Sequence, residues 1–432
     1  MQRKILNKIR LKTAKIGIVG LGYVGLPLAI SFSLADFKVL GFDIDKSKVK
    51  KLNKGKSFLY HFKDATISKI KKKNFVAYSN FNKIKDLDII ILCLPTPLDK
   101  MKQPDLSFLT TTLDDINKYF KSGQTIIFES TSYPGTCEEV ILPYINANRL
   151  KAGENFFLVY SPEREDPGNK EYNIKNIPKI VSGYSKSCLK IGISLYKKIV
   201  DEIVPVSSLK TAELAKLLEN IYRAVNIGLV NELKVVSDKM GIDVFEVINA
   251  AATKPFGFKP FFPGPGLGGH CIPIDPFYLS WKAKEYNVSA RFIELAGEIN
   301  SSMPDWVLRK VFNGLNQAKK SIKGSNILIV GLAYKENIDD LRESPALEII
   351  NKLLKMGSKV KYFDPYIPKI PRLRNHNLDM SSIKLSKKEL NNHDLVLITT
   401  AHSNIDYDFI HANAQLIIDT RNIFKEKSPK VI

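Results

Sequence analysis

Lys15-Ile-Gly-Ile-Val-Gly20-Leu-Gly22-Tyr-Val-Gly25 is the stretch whose reading decides the fold. Ile16 to Val19 is a short apolar run of the kind that forms a buried parallel strand, and about Val24 to Ala35 reads as a buried helix. Between them the glycines have the spacing of a phosphate-binding turn. Gly20 permits a tight turn, Gly22 lets a diphosphate approach the backbone, and Gly25 lets the helix lie close to the strand. Anionic oxygens then sit on the free N–H groups at the helix start. A second strand, Lys38 to Phe42, ends at Asp43, 18 residues after Gly25. A carboxylate there accepts hydrogen bonds from both ribose hydroxyls and repels a 2′-phosphate, which selects NAD over NADP. Strand, turn, helix, strand and acid occur in order, so dinucleotide binding is expected.

Further along, Ile89 to Leu94, Thr125 to Phe128, Phe156 to Tyr160 and Ile180 to Ser182 read as strands, with a helix near Leu106 to Phe120. Alternating strands and helices predict an α/β doubly wound parallel sheet. Ile16 to Ala35 carries no charge and follows a basic N-terminus, as a signal peptide or membrane span would. Its four glycines and Pro27 argue instead for strand, turn and helix, and no membrane insertion is expected. From Leu209 to Met240, Leu214, Leu217, Leu218, Ile221, Val225, Leu229 and Leu233 recur at helical spacing. Apolar residues on both faces suggest a long central helix and a homodimer. Ser302-Met-Pro304-Asp305 reads as a helix start. Asn326 opens a second α/β unit, in which Ile327-Leu-Ile-Val-Gly-Leu332 echoes Ile16-Gly-Ile-Val-Gly-Leu21. Only part of the glycine pattern is repeated, so a ligand other than a dinucleotide is expected. The predicted division is residues 1–208, 209–304 and 305–432, giving two Rossmann-like domains joined by a central helical region.

The chain has 432 residues, 44% hydrophobic and 25% charged, with 65 Lys and Arg against 44 Asp and Glu for a net charge of +21. The lysines are scattered and their runs resemble solvated helix faces, so nucleic acid is not an expected partner. A positive field suits anionic small molecules. Cys93, Cys137, Cys188 and Cys271 form no Cys-x-x-Cys pair. No disulfide framework or metal site is suggested, and a reducing cytoplasmic setting fits.

Gly264-Pro-Gly266-Leu-Gly268-Gly-His-Cys271-Ile-Pro-Ile-Asp275 sets a thiol after flexible backbone and four residues before a carboxylate. A thiol beside a hydride acceptor suggests oxidation through a covalent intermediate.

Together with Pro95-Thr96-Pro97, Ser130-Thr131, Ser161-Pro-Glu163-Arg164, Lys216-Leu-Leu-Glu-Asn220, Gly331-Leu-Ala-Tyr334-Lys335 and Arg342-Glu-Ser344, these motifs resemble the nucleotide-sugar 6-dehydrogenases over nearly the whole length. The resemblance implies an N-terminal NAD domain, a dimerising central helix and a C-terminal UDP-binding domain. It implies oxidation of a sugar C6 alcohol to a carboxylate with two NAD⁺ in sequence, through a thiohemiacetal and a thioester on Cys271. Lys216 and Asn220 would stabilise the oxyanion, Asp275 would orient water or lysine, Glu163 would act as base in hydrolysis, and Thr131 would position water or cofactor. Gly20, Gly22, Tyr23, Val24, Gly25, Asp43, Pro95, Thr96, Thr131 and Arg342 would hold NAD. The UDP-sugar would meet Glu163, Arg164, Lys216, Asn220, Phe262, Gly264, Gly266, Gly268, Tyr334 and Lys335, with Lys259 reaching across a dimer.

Two departures bear on the sugar. Ile274 stands where UDP-glucose enzymes usually have Lys, and Arg164-Glu-Asp-Pro-Gly follows Glu163 where they have Phe-Leu. Both features are similar to the UDP-N-acetylglucosamine branch, which serves surface-polysaccharide synthesis. UDP-glucose, UDP-N-acetylgalactosamine and UDP-N-acetylmannosamine are the alternatives. More remote readings are a single-step hydroxyacid dehydrogenase, which needs no Cys271, and a non-catalytic nucleotide-binding protein.

Overall fold

The computed structural model describes residues 1–432 except Tyr60, His61, 166–170, His270, Cys271, Arg372, Arg374, Asn375 and Lys427. The chain divides into two compact units, one of Met1–Glu219 with Phe277–Val288 and the other of Asn220–Pro276 with Ser289–Ile432.

The first unit holds eight strands: β1 (Lys15–Val19), β2 (Lys38–Phe42), β3 (Phe75–Tyr78), β4 (Ile89–Leu92), β5 (Thr125–Phe128), β6 (Phe157–Tyr160), β7 (Lys179–Gly183) and β8 (Ile203–Pro205). They form one sheet in the order β3-β2-β1-β4-β5-β6-β7-β8. Winding changes direction between β1 and β4, which opens a crevice at their carboxyl ends. The helices are α1 (Gln2–Arg10), α2 (Gly25–Leu34), α3 (Lys46–Asn53), α4 (Asp64–Lys73), α5 (Ser107–Ile116), α6 (Leu142–Ala147) and α7 (Lys186–Tyr196). Successive strand residues feed opposite faces of the sheet. Ile16, Ile18, Ile89 and Ile91 join one apolar core, and Val19, Ile90 and Leu92 the other. The uncharged stretch from Ile16 to Ala35 is therefore a strand, a turn and a helix. No helix among the described residues is long and apolar enough to cross a membrane.

Three features of this unit depart from the sequence reading. The basic N-terminus forms α1, which buries Ile5 and Ile9. The helix expected to reach Phe120 ends at Ile116, and a tighter turn, Asn117–Tyr119, follows. The third concerns β7, which runs antiparallel to β6, pairing Tyr160 with Ser182. The first residue of β7 thus lies at the same sheet edge as the last residues of β6.

Helix α8 (Leu209–Met240) contributes its residues up to Glu219 to the first unit and the rest to the second. The second unit also contains α9 (Val244–Ala252), the start of α10 (Asp275–Lys284), and α11 (Arg291–Gln317). The helix start expected at Ser302 to Asp305 is not one, because α11 continues through Pro304. Proline removes one ladder hydrogen bond, to the carbonyl of Asn300. Burial of Met303, Val307, Leu308, Val311 and Leu315 along one stripe keeps the helix continuous.

Strands β9 (Asn326–Val330), β10 (Lys359–Phe363), β11 (Leu395–Ile398) and β12 (Ile417–Asp419) form a parallel sheet in the order β10-β9-β11-β12. Helices α12 (Pro345–Lys355), α13 (Lys387–Asn392) and α14 (Tyr407–Asn413) complete the unit. The sequence echo is a structural repeat. Gly20 N–H donates to Phe42 O (2.8 Å) and Gly331 N–H to Phe363 O (2.9 Å). Leu21 N–H donates to Asp43 Oδ2 (3.0 Å) and Leu332 N–H to Asp364 Oδ2 (2.6 Å). The second carboxylate is more fully occupied. Asp364 also accepts from Ala333, Tyr366 and Ile367 N–H, and it pairs with buried His402 Nε2 at 3.0 Å. Burial alone would raise the Asp364 pKa, but the His402 bond and charge and the backbone donors hold it below the usual carboxylate value.

Asp364→Ala should cost about 3 kcal/mol, because it orphans His402 and several N–H groups. Chemical unfolding of the variant and the parent measures this. A carboxyl whose native pKa is depressed stabilises the fold above its unfolded pKa and loses that contribution as pH falls through the native value. The gap between variant and parent should therefore shrink in acid.

Candidate active site

The glycine turn of the first unit makes three different demands. Gly20 has φ +90°, and a Cβ there would stand 2.1 Å from Cys93 O. A Cβ on Gly25 would stand 1.8 Å from Gly20 O, whereas one on Gly22 meets nothing within 4 Å. Gly20 and Gly25 are thus fixed by packing, while Gly22 faces open space. The Asp43 carboxylate is anchored by the N–H groups of Leu21 (3.0 Å) and Asp45 (2.9 Å), with Lys48 Nζ 3.8 Å away. Half-buried Tyr23 and Val24 lead into α2. An open turn at a helix start, with an acid at the end of the neighbouring strand, fits NAD.

Ser130 ties the next two segments together. Its hydroxyl accepts from Leu94 N–H (2.8 Å) and donates to Leu94 O (2.7 Å), which sets exposed Pro95 and buried Thr96 beside the segment of half-buried Thr131.

Glu163 follows β6. Its Oε1 accepts from the N–H groups of Arg164 (2.6 Å) and Glu165 (2.5 Å). Its Oε2 is buried with no hydrogen-bond partner among the described residues. Arg164 is committed elsewhere, with Nη2 on Glu219 Oε1 at 2.8 Å and Nη1 on Pro178 O at 2.5 Å. Beneath this loop lies a buried set that the sequence reading missed. Lys179 Nζ donates to Glu129 Oε2 (2.7 Å) and Pro162 O (3.2 Å), and Tyr196 Oη donates to Glu129 Oε1. Burial, reinforced by the Glu163 charge, pushes Glu129 up to about 7 and Glu165 up to about 8. Two charged residues flanking apolar strand runs were the available signal.

On α8, Glu213 accepts from Gly135 N–H (2.6 Å) and Cys137 N–H (3.0 Å), which fixes how the helix is turned. Lys216 and Asn220 lie on the same buried face, three and seven residues further on. Buried Asn220 donates to buried Asp275 Oδ2 and accepts from Arg223. Cys271 and His270 lie outside the described residues.

In the second unit the glycine-rich loop is held from two sides. Gly264 N–H donates to Asn231 Oδ1 (3.0 Å), whose Nδ2 donates to Asn300 Oδ1 (2.8 Å). Gly269 N–H donates to Arg342 O (2.9 Å), and Tyr334 lies where Cβ atoms on Gly268 and Gly269 would be, at 2.4 and 2.9 Å. Gly266, with φ +138°, packs near Pro304 and Pro345. Phe262 is exposed and stacks on Phe245, Lys259 is exposed, and Lys335 is half-buried. The Arg342 guanidinium grips Asp340. Arg421, not singled out from sequence, places its guanidinium against Gly264 and donates through Nε to Thr399 O (2.7 Å). The expected site residues therefore fall into two groups. Gly20 to Gly25, Asp43, Pro95, Thr96, Thr131, Glu163, Arg164 and Lys216 belong to the first unit, and the remaining described ones to the second.

Gly22→Val should leave the melting temperature within a few degrees of the parent while abolishing detectable NAD⁺ binding in calorimetry. Gly25→Val should instead destabilise the protein itself, because its Cβ meets backbone.

Known proteins bear directly on these groups. Residues 14–200 match the NAD binding domain of the UDP-glucose/GDP-mannose dehydrogenase family, residues 210–302 its central domain, and residues 328–426 its UDP binding domain. The UDP-N-acetyl-D-glucosamine 6-dehydrogenase of Pseudomonas aeruginosa is 36% identical over 83% of this chain and 84% of its own length. Protein CapL of Staphylococcus aureus is 36% identical over 94% of this chain and 96% of its own. The structure of UDP-D-ManNAc dehydrogenase from Pyrococcus horikoshii superposes with a TM-score of 0.86 at 31% identity, covering 97% of this chain and 98% of that one. With matches spanning all three domains, the chain belongs to the UDP-glucose/GDP-mannose dehydrogenase family and binds NAD through its N-terminal domain.

Proposed function

We propose that the chain oxidises C6 of a UDP-N-acetylhexosamine, UDP-N-acetylglucosamine foremost, to the uronic acid, for surface-polysaccharide synthesis. The observation that carries this reading is the buried Asn220–Asp275 hydrogen bond on the α8 face that also carries Lys216. Asp275 stands four residues after the family's cysteine position, Cys271. A single-step alcohol oxidation has no use for that thiol.

NAD, when bound, supplies the hydride acceptor. The alcohol loses two hydrides and gains one water oxygen, with protons released to solvent. Lys216 and Asn220 face the developing oxyanion, where buried donors act most strongly. The Cys271 thiolate adds to the C6 aldehyde and forms a C–S bond, giving a tetrahedral centre that again has a hydride to lose. The resulting thioester is cleaved by water, whose proton passes to Glu163, and the thiolate leaves. Asp275 holds Asn220 in register for these steps. Tyr334, Lys335, Arg421 and the loop from Phe262 to Gly268 receive the UDP portion, and Arg342 approaches the cofactor.

The loop that begins at Ser161 and the residue Ile274 support an acetamido sugar, and the named substrates of two relatives are UDP-N-acetylglucosamine and UDP-N-acetylmannosamine. Exposed Leu214, Leu218, Leu229, Leu233 and Val236 on α8 support a homodimer built on that helix, with Lys259 reaching the second copy's site.

Purified protein given NAD⁺ and, in turn, UDP-N-acetylglucosamine, UDP-N-acetylmannosamine, UDP-N-acetylgalactosamine and UDP-glucose should turn over the first fastest. Absorbance should record two NADH per sugar. One NADH per sugar would mean a single-step enzyme. Cys271→Ser should reduce acid formation to background while the sugar nucleotide still binds.

A further inference from the structure

We infer that Lys179 and Glu129 form a positioning pair that sets the orientation of Glu163. This rests on the reading of Glu163 as the hydrolytic base. The pair touches neither substrate nor cofactor in this scheme and acts through the loop above it.

The topology creates the arrangement. Because β7 runs antiparallel to β6, Lys179 starts its strand at the sheet edge where Glu129 follows β5 and Glu163 follows β6. The ammonium bonds the carbonyl of Pro162, the residue immediately before Glu163, at 3.2 Å. Glu163 N–H donates to Glu129 O at 3.3 Å. Both ends of the pair therefore hold the backbone that aims Glu163. Tyr196 on α7 fixes the other side, bonding Glu129 and standing 5.1 Å from Lys179 Nζ by its ring centroid.

Among the described residues, the carboxyl groups of Glu129, Glu163 and Glu165 lie near the buried Lys179 ammonium. Among the described residues, the other titratable or charged groups in this part of the unit include the buried Cys93 thiol after β4, the Tyr196 phenol, and Arg164. The thiol is pushed further from ionisation by burial and by Glu129 and Glu163. The cation of Arg164 is engaged by Glu219 of α8. Lys179 thus ties the Glu129 carboxylate to the backbone that carries Glu163. Stability alone does not call for such a pair, since apolar residues of similar volume usually serve a buried site equally well. Its use here is a fixed brace beneath a functional carboxylate.

The test is rapid-quench kinetics on whichever UDP-sugar the parent oxidises, with chemical unfolding of each variant alongside. In K179M and E129Q the steps that form NADH and the covalent thioester should keep their rates, while hydrolysis of the thioester slows about tenfold, so that covalent sugar–enzyme accumulates. K179R should preserve both stages. The double variant E129Q/K179M should slow hydrolysis about as much as K179M alone, because both ends of the pair hold one segment. If K179M does not fold, E129Q alone decides. A folded variant that hydrolyses the thioester at the parent rate, or that slows the NADH-forming steps equally, overturns the inference. A parent inactive on every UDP-sugar would refute the functional reading on which the inference rests, whereas an active parent whose variants hydrolyse the thioester unchanged would refute the inference alone.

Discussion

One hydrogen bond recurs at the base of each Rossmann-like sheet: the N–H after a glycine turn donates to the carboxylate that ends the neighbouring strand. Leu21 gives it to Asp43 and Leu332 gives it to Asp364. A turn at a strand's carboxyl end exposes backbone donors, and an acid on the next strand satisfies one of them without a covering loop. The two sites differ in what remains of the carboxylate. Asp43 stays half-buried with few partners, whereas Asp364 is saturated by His402 and four N–H groups. The same device therefore leaves an accessible carboxylate in one sheet and a sealed structural post in the other.

The edge of the first sheet concentrates chemistry because strand direction puts it there. Carboxyl ends of β1, β4, β5 and β6 deliver Gly20, Cys93, Glu129 and Ser161 to one rim. An all-parallel sheet would have sent Lys179 to the opposite rim. Reversal of β7 brings a cation among acids, and the same reversal lets Ser161 Oγ donate to Ile180 O at 2.8 Å. A topological exception thus becomes an electrostatic one.

The sequence showed the parts that depend on local pattern. The glycine turn, Asp43, the length of α8 and the second sheet's first strand follow from periodicity and spacing, which neighbours in the chain determine. What it hid depends on distant partners. Helix α1 is short and strongly basic, and only packing reveals why Ile5 and Ile9 are apolar. Pro304 reads as a helix start because local rules place proline there, yet tertiary burial carries α11 through it. Glu129 and Lys179 look like solvated ends of strands, and no spacing links residues fifty apart. Asn231 and Asn300 were legible only as polar interruptions in apolar stripes, and their function of bracing Gly264 needs the fold. Motif resemblance supplied Lys216, Asn220 and Asp275, and the structure adds that all three are buried and that two are bonded.

Burial of polar groups on α8 follows from a constraint at its beginning. Glu213 is enclosed and accepts two backbone N–H groups, so the helix cannot turn about its axis without orphaning a carboxylate. That phase puts positions 216, 217 and 220 inward and 214 and 218 outward, at the intervals of an α-helix. Polar catalytic candidates and exposed leucines are therefore two consequences of one hydrogen-bonded acid. A helix fixed in this way carries a buried polar face and an exposed apolar face at once, because 3.6 residues per turn separates them without any further device.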